Sequence, residues 1–238
     1  RHLIDTGEIG TPHSASVFFL AKGMESWHPN PDFFFQPGGG PVLDMRPYYI
    51  TMLVNLLGPV RAVQGWHRRA FSERTIARGP RVGETIPVET PTHITGILHF
   101  ASGALATVIF SFDARGGSEL PRGEIWGTGG TLYLPDPNRF DGTLRIQRES
   151  HEGNTPTEAV DLLHTHEGHR MAGLADMAEA LAHDRPHRAS GELALHVLEV
   201  MLALRDARET GGGPNELNTT CERPAMMPPG LKLGEFGD

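Results

Sequence analysis

Asp44 and Tyr48 stand four residues apart, directly after a glycine triplet, Gly38-Gly39-Gly40. On a helix that spacing puts both side chains on one face. There a carboxylate and a phenol can act together as a proton-transfer and hydroxyl-binding unit. The alternative is structural: a half-buried packing tyrosine and an aspartate that caps the helix or complements its dipole. A phenol titrates at about 10 unless a cation lies close, and Arg46 points elsewhere if the segment is helical. The glycines either let the backbone pass close to a ligand or form a plain helix-entry turn. Just upstream, Trp27-His28 could hold a sugar face by stacking, or anchor a loop to the core edge. His164, His166 and His169 have spacing that resembles a metal site, with substrate and surface roles as the alternative. Gly127-Thr128-Gly129-Gly130 reads as a hairpin turn because a strand follows it, not a helix.

These residues sit in a chain of 238 residues with a net charge of −8, from 21 basic and 29 acidic side chains. A 38% apolar fraction and 29 glycines suit a globular core. No basic run favours a nucleic-acid partner. No apolar run reaches the roughly 20 residues of a membrane helix, and no secretory signal opens the sequence. A single cysteine, Cys221, rules out a disulfide within the chain and fits a cytoplasmic location. Its Pro/Gly-rich surroundings suggest an inert thiol. The run from Arg1 to Gly7 reads as the last turns of a helix, so the sequence is expected to be a fragment of a longer protein.

Periodicity supplies the elements that must carry the chemistry. Residues 13–21 read as a strand and residues 22–41 as a long irregular loop. A helix follows, ending at Leu57, with Tyr49, Met52, Leu53 and Leu56 inward. Pro47 could split off its first turn. Residues 60–70 read as a strand, 92–100 and 104–112 as a hairpin, 123–127 and 131–134 as another, and 143–148 as a further strand. A helix over residues 169–182 should turn Met171, Leu174, Ala178 and Leu181 inward. A second, capped by Ser190 and running to about residue 209, should bury Leu193, Val197, Val200 and Leu204, with His196 a satisfied core histidine. The pattern implies an α+β fold: an open, mostly antiparallel β-sheet with helices on one face. The expected organisation is residues 1–10 as the end of a connecting helix, 11–210 as one domain, and 211–238 as an extended tail.

The run from Trp27 to Asp44 resembles the substrate half of the glucose–fructose oxidoreductase / inositol dehydrogenase (Gfo/Idh/MocA) family. So do Tyr48-Tyr49-Ile50-Thr51, the stretch from Leu56 to Val60, and Ile125 to Leu132. Further matches are Gly173 to Ala178 and Arg185 to Glu192, all in the family's order. The resemblance implies the C-terminal, sheet-bearing domain of a two-domain dehydrogenase. The Rossmann domain that binds NAD or NADP, and the family's Glu-Lys-Pro lysine, lie outside these residues. It implies hydride transfer on a sugar, cyclitol or related polyol, and a homo-oligomer formed through the open sheet face. Asp44 would orient the reacting hydroxyl or the lysine, and Tyr48 would take or return the proton, so both are catalytic candidates. Trp27, His28, Arg46, His169 and Arg170 are substrate-binding candidates, and Gly39 and Gly40 cofactor-binding candidates. Where Arg46 stands, the family usually has glycine, so either the local backbone differs or Arg46 projects into the site. By itself the fragment should be inactive. A non-catalytic assembly or sugar-sensing module, or a metal-dependent protein, are the competing readings.

Overall fold

The computed structural model describes residues 1–150, 155–163, 170–206 and 213–229. Nine strands form one sheet: β1 (Pro12–Leu20), β2 (Val60–Arg68), β5 (His93–Phe100), β6 (Leu105–Ser111), β7 (Gly123–Gly127), β8 (Gly130–Leu134), β9 (Leu144–Arg148), β10 (Glu158–Val160) and β11 (Asn215–Glu216). Their order is β10-β9-β8-β7-β1-β6-β5-β2-β11. β1 and β6 run parallel and the remaining neighbours antiparallel. The sequence expectation of an open, mostly antiparallel sheet is met. Strict alternation explains it: Ala106, Val108, Phe110 and Phe112 are buried while Leu105 and Thr107 face out. A short separate hairpin, β3 (Glu73–Thr75) with β4 (Thr85–Pro87), was not foreseen.

Among the described residues there are four α-helices: α1 (His2–Asp5), α2 (Gly40–Leu57), α3 (Ala172–Ala182) and α4 (Gly191–Arg205). α2 and α4 pack on each other and on the sheet's inner face. Tyr49, Ile50, Leu53 and Val54 from α2 meet Val197, Val200 and Leu204 from α4 in one core with the strands. Each such buried side chain contributes about 1.5–3 kcal/mol. Ser190 caps α4, its hydroxyl accepting from the Leu193 N–H at 3.1 Å. Pro47 does not split α2, which is continuous. The missing N–H costs one helical bond, and the burial of Tyr49, Ile50 and Leu53 beyond it holds the helix together.

α3 differs from its sequence reading. Met171, Leu174 and Leu181 are exposed, while Asp176 and Ala180 are buried. Asp176 sits about 200° around the helix from Leu174. Its carboxylate accepts from Arg185 Nη2 at 2.9 Å, from the Arg188 backbone N–H at 2.9 Å, and from the Arg188 guanidinium. Turning Asp176 inward to meet those partners necessarily turns the leucine stripe outward. His196, by contrast, is the satisfied core histidine expected of it. Its Nε2 accepts from the Val60 N–H at 3.0 Å, so Nδ1 carries the proton and donates to Thr219 Oγ1, also at 3.0 Å. Among the described residues no helix is long and apolar enough to cross a membrane.

Candidate functional site

A cavity of about 610 Å³ lies along the face of α2 that carries Tyr48, Thr51, Met52 and Asn55. These positions are three, four and seven residues on from Tyr48, the spacing of one helical face. The far wall is apolar, with Leu144, Val160, Leu163 and Leu193. Residues Pro224 to Met227 of the tail close it. Tyr48 is 37% exposed beside this space. Its neighbour Tyr49 goes the other way, into the core, and its hydroxyl donates to Asp136 at 3.0 Å. Burial, with the Asp136 carboxylate second, pushes the Tyr49 phenol well above its ordinary range. That bond also fixes the loop whose Pro137 lines the cavity.

Charged ties hold the frame. Arg188, clamped by Asp176, passes its Nε–H to the Ala225 carbonyl at 3.0 Å. Arg1 donates to the Asn55 side chain at 3.1 Å and to the Pro224 carbonyl at 3.2 Å. Arg223 donates to the Asn55 carbonyl at 3.0 Å and to Asp5 at 2.8 Å. Burial works against ionisation of Asp176, yet its bonds to Arg188 and Arg185 outweigh this and hold the carboxyl below the usual range.

Asp44 lies one turn before Tyr48 on the same face of α2 and is half-buried. Burial pushes its carboxyl above the usual carboxylate range. It is not among the cavity-lining residues, so the cavity begins at Tyr48.

Trp27 and His28 do not line the cavity either. They form an aromatic shelf with Phe33 and Phe34. The His28 ring meets Trp27 at 5.2 Å, Phe33 at 5.4 Å and Phe34 at 5.5 Å, while Trp27 and Phe33 are each 54% exposed. The Asn30 N–H donates to His28 Nδ1 at 3.1 Å. The shelf is braced from below. Buried Arg74 donates to Glu25 at 2.9 Å, binds Asp113 as well, and lies over the Phe35 and Phe71 rings. Arg81 binds Asp32 at 2.6 Å.

Arg46 requires a correction. It is fully buried, its guanidinium 4.4 Å from the centre of the Phe110 ring, and among the described residues none of its side-chain nitrogens has a hydrogen-bond partner. Two residues from both Asp44 and Tyr48, it occupies the opposite side of α2 and is not placed to touch a substrate. Burial drives its guanidinium well below its ordinary range. Gly39 and Gly40 are accounted for by packing. A Cβ on Gly39 would stand 2.3 Å from the Phe33 carbonyl, and one on Gly40, whose φ is +87°, 2.8 Å from the Pro91 carbonyl. No cofactor contact is needed to explain them. Arg170 is exposed, 3.5 Å from Asn138 Oδ1, and does not line the cavity. His169, with His164 and His166, lies outside the described residues.

Sequence reasoning missed Thr51 and Asn55, which helical spacing from Tyr48 could have found. It also missed Met226 and Met227, for which a Pro/Gly-rich tail gave no signal.

The fold is an open, mixed-sheet α+β domain with two helices packed on the sheet. A family model described as the GFO/IDH/MocA C-terminal domain matches residues 1–133, and the chain belongs to this family. No curated protein matches its sequence. Among solved structures, the fold resembles levoglucosan dehydrogenase (21% identity, TM-score 0.68, covering 87% of this chain and 59% of that one). It also resembles an NAD-binding oxidoreductase from Klebsiella pneumoniae (21%, TM-score 0.69, with 87% and 59% covered). A third is an aldose-aldose oxidoreductase from Caulobacter crescentus complexed with glycerol (21%, TM-score 0.66, with 91% and 58% covered). The chain thus spans less than two thirds of the length of these relatives.

Proposed function

We propose that this chain is the substrate-binding and oligomerisation part of an NAD(P)-dependent oxidoreductase that acts on a sugar, cyclitol or related polyol by hydride transfer. The observation that carries the reading is Tyr48, its phenol on a cavity of about 610 Å³ while Asp44 shares its helix face and Tyr49 is spent on the core. Solved relatives support it: levoglucosan dehydrogenase has been captured with NADH and levoglucosan and with NADH and L-sorbose, and an Agrobacterium radiobacter oxidoreductase with NAD+ and L-tartaric acid.

The described residues make no dinucleotide site of their own. The lone parallel pair, β1 and β6, is no glycine-led βαβ unit, and Gly39 and Gly40 pack against chain carbonyls. The dinucleotide is therefore assigned to another part of the full-length protein, reached through the helix whose end is residues 1–10. When bound there, it supplies the hydride chemistry. This chain's residues bind and orient the polyol, exclude water with the apolar wall, and handle the proton. Tyr48 exchanges the proton of the reacting hydroxyl, and Asp44 orients that hydroxyl or the family's lysine.

Replacing Tyr48 with Phe in the full-length protein tests this. Loss of turnover by about 10²–10⁴-fold, the usual worth of a general acid–base group, is expected with assembly retained. Unchanged turnover removes Tyr48 from the mechanism. This chain alone should bind NADH only weakly in a fluorescence titration.

A further inference from the structure

We propose that the cavity at Tyr48 takes a ligand with two unlike halves: a hydroxylated ring at the α2 edge and an apolar substituent against Leu144, Leu163, Leu193, Met226 and Met227. The inference rests on the reading of this cavity as the polyol site and adds the class of polyol, one that carries an apolar group. The walls argue for it. Two guanidiniums reach the cavity, each tied to the frame through Nε and Nη1, Arg1 to Asp5, Asn55 and the Pro224 carbonyl, and Arg188 to Asp176 and the Ala225 carbonyl. Asn55 Oδ1 accepts from Arg1, which leaves its amide N–H groups. The other polar side chains of the lining are His2, Tyr48, Thr51 and Asp161, and Tyr48, Thr51 and Asn55 share one helix face, set against an otherwise largely leucine and methionine lining.

A bare polyol has hydroxyls on every side. Those turned towards the leucine and methionine wall would give up water and gain no partner. An apolar substituent removes that conflict and gains from burial. A cavity of about 610 Å³ falls in the size range of small-molecule sites, which are mostly apolar with a few placed polar groups.

The tail makes this wall selective. It is held at three successive residues, by the Arg223 side chain on Asn55 and Asp5 and by the Pro224 and Ala225 backbone carbonyls. The two methionines that follow are unbranched and can repack around substituents of different shape.

The test is binding, not turnover, on the full-length protein labelled with ¹³C-methyl methionine. Of the 8 methionines in these 238 residues, Met52, Met226 and Met227 line the cavity, and the others serve as internal controls. Phenyl β-D-glucopyranoside should shift those three methyl signals and bind at least tenfold more tightly than methyl β-D-glucopyranoside or myo-inositol. The double substitution Met226→Gln and Met227→Gln should bring phenyl glucoside affinity down to within about twofold of that for methyl glucoside. The inference is overturned by equal affinities, by shifts confined to other methionines, or by no response at millimolar phenyl glucoside, the result expected if another part of the protein fills the cavity. These shifts together with unchanged turnover in Tyr48→Phe would sink the proposed chemistry and leave this inference standing.

Discussion

Within four residues of α2, three side chains have different fates. Tyr48 faces the cavity, Tyr49 bonds to Asp136 in the core, and Arg46 lies beneath the helix over Phe110. A buried guanidinium with no hydrogen-bond partner among the described residues carries a desolvation cost that the aromatic face offsets only in part. Arg46→Met keeps most of the volume and removes the charge. It should raise stability by about 1–3 kcal/mol, the usual cost of an unsatisfied buried polar group, read as an increase in Tm. A decrease would mean that the guanidinium has a partner in the full protein. Here the helical period gave the correct geometry, because two residues separate opposite faces. The resemblance, which allowed Arg46 to project into the site, pointed the other way.

Among the elements, the tail depends most on a few polar contacts. Glu199 on α4 accepts from the Asn218 and Thr219 backbone N–H groups at 2.9 and 2.8 Å and from the Thr219 hydroxyl, which in turn faces His196. The Thr219 hydroxyl, with the neighbouring N–H groups, holds the Glu199 carboxyl down to about 2, and burial holds His196 below its ordinary value. Both groups bind fewer protons folded than unfolded, so their stabilisation falls with acidification. The His196 part is full above its unfolded value of about 6.5 and fades below it. The Glu199 part fades as pH falls from its unfolded value of about 4.3. Equilibrium unfolding followed from pH 7 to pH 3 should show both losses. Glu199→Gln should flatten the lower one and cost about 1–2 kcal/mol at neutrality, allowing for the carboxylate's exposure. A profile identical to that of the unmodified protein would show that the tail is held by other contacts. The leucine stripe of α3 is the element-scale lesson. Apolar spacing alone puts it inward, but a buried carboxylate with two arginine partners has no acceptable outward alternative once they are in place.

At the scale of the molecule, α2 and α4 cover one face of the sheet and leave the other open. That open face carries Trp66 beside Thr95, then Ile109 and Phe18, and in the next row Ile97 beside Thr107. A broad, partly apolar β-surface is the natural place for a second copy to pack. Ile97→Lys, on the outward face and away from the core, should lower the mass seen in sedimentation without lowering helix or strand content. An unchanged mass would assign assembly to another surface.

Local pattern alone determined seven of the nine described sheet strands, the Ser190 cap, the core role of His196, and the shared helix face of Asp44 and Tyr48, while the short edge strands β10 and β11 gave no signal. Each depends on residues a turn or a pleat apart, and the period of the backbone sets their geometry. Tertiary structure alone decided that Arg46 is sealed over Phe110, that the Trp27 shelf stands apart from the cavity, and that the tail closes that cavity. Those outcomes depend on partners far apart in the chain, such as Arg1 with Pro224 and Arg188 with Ala225. Such meetings are set by how whole elements pack and by which polar groups must find partners when buried, and no short-range period encodes either.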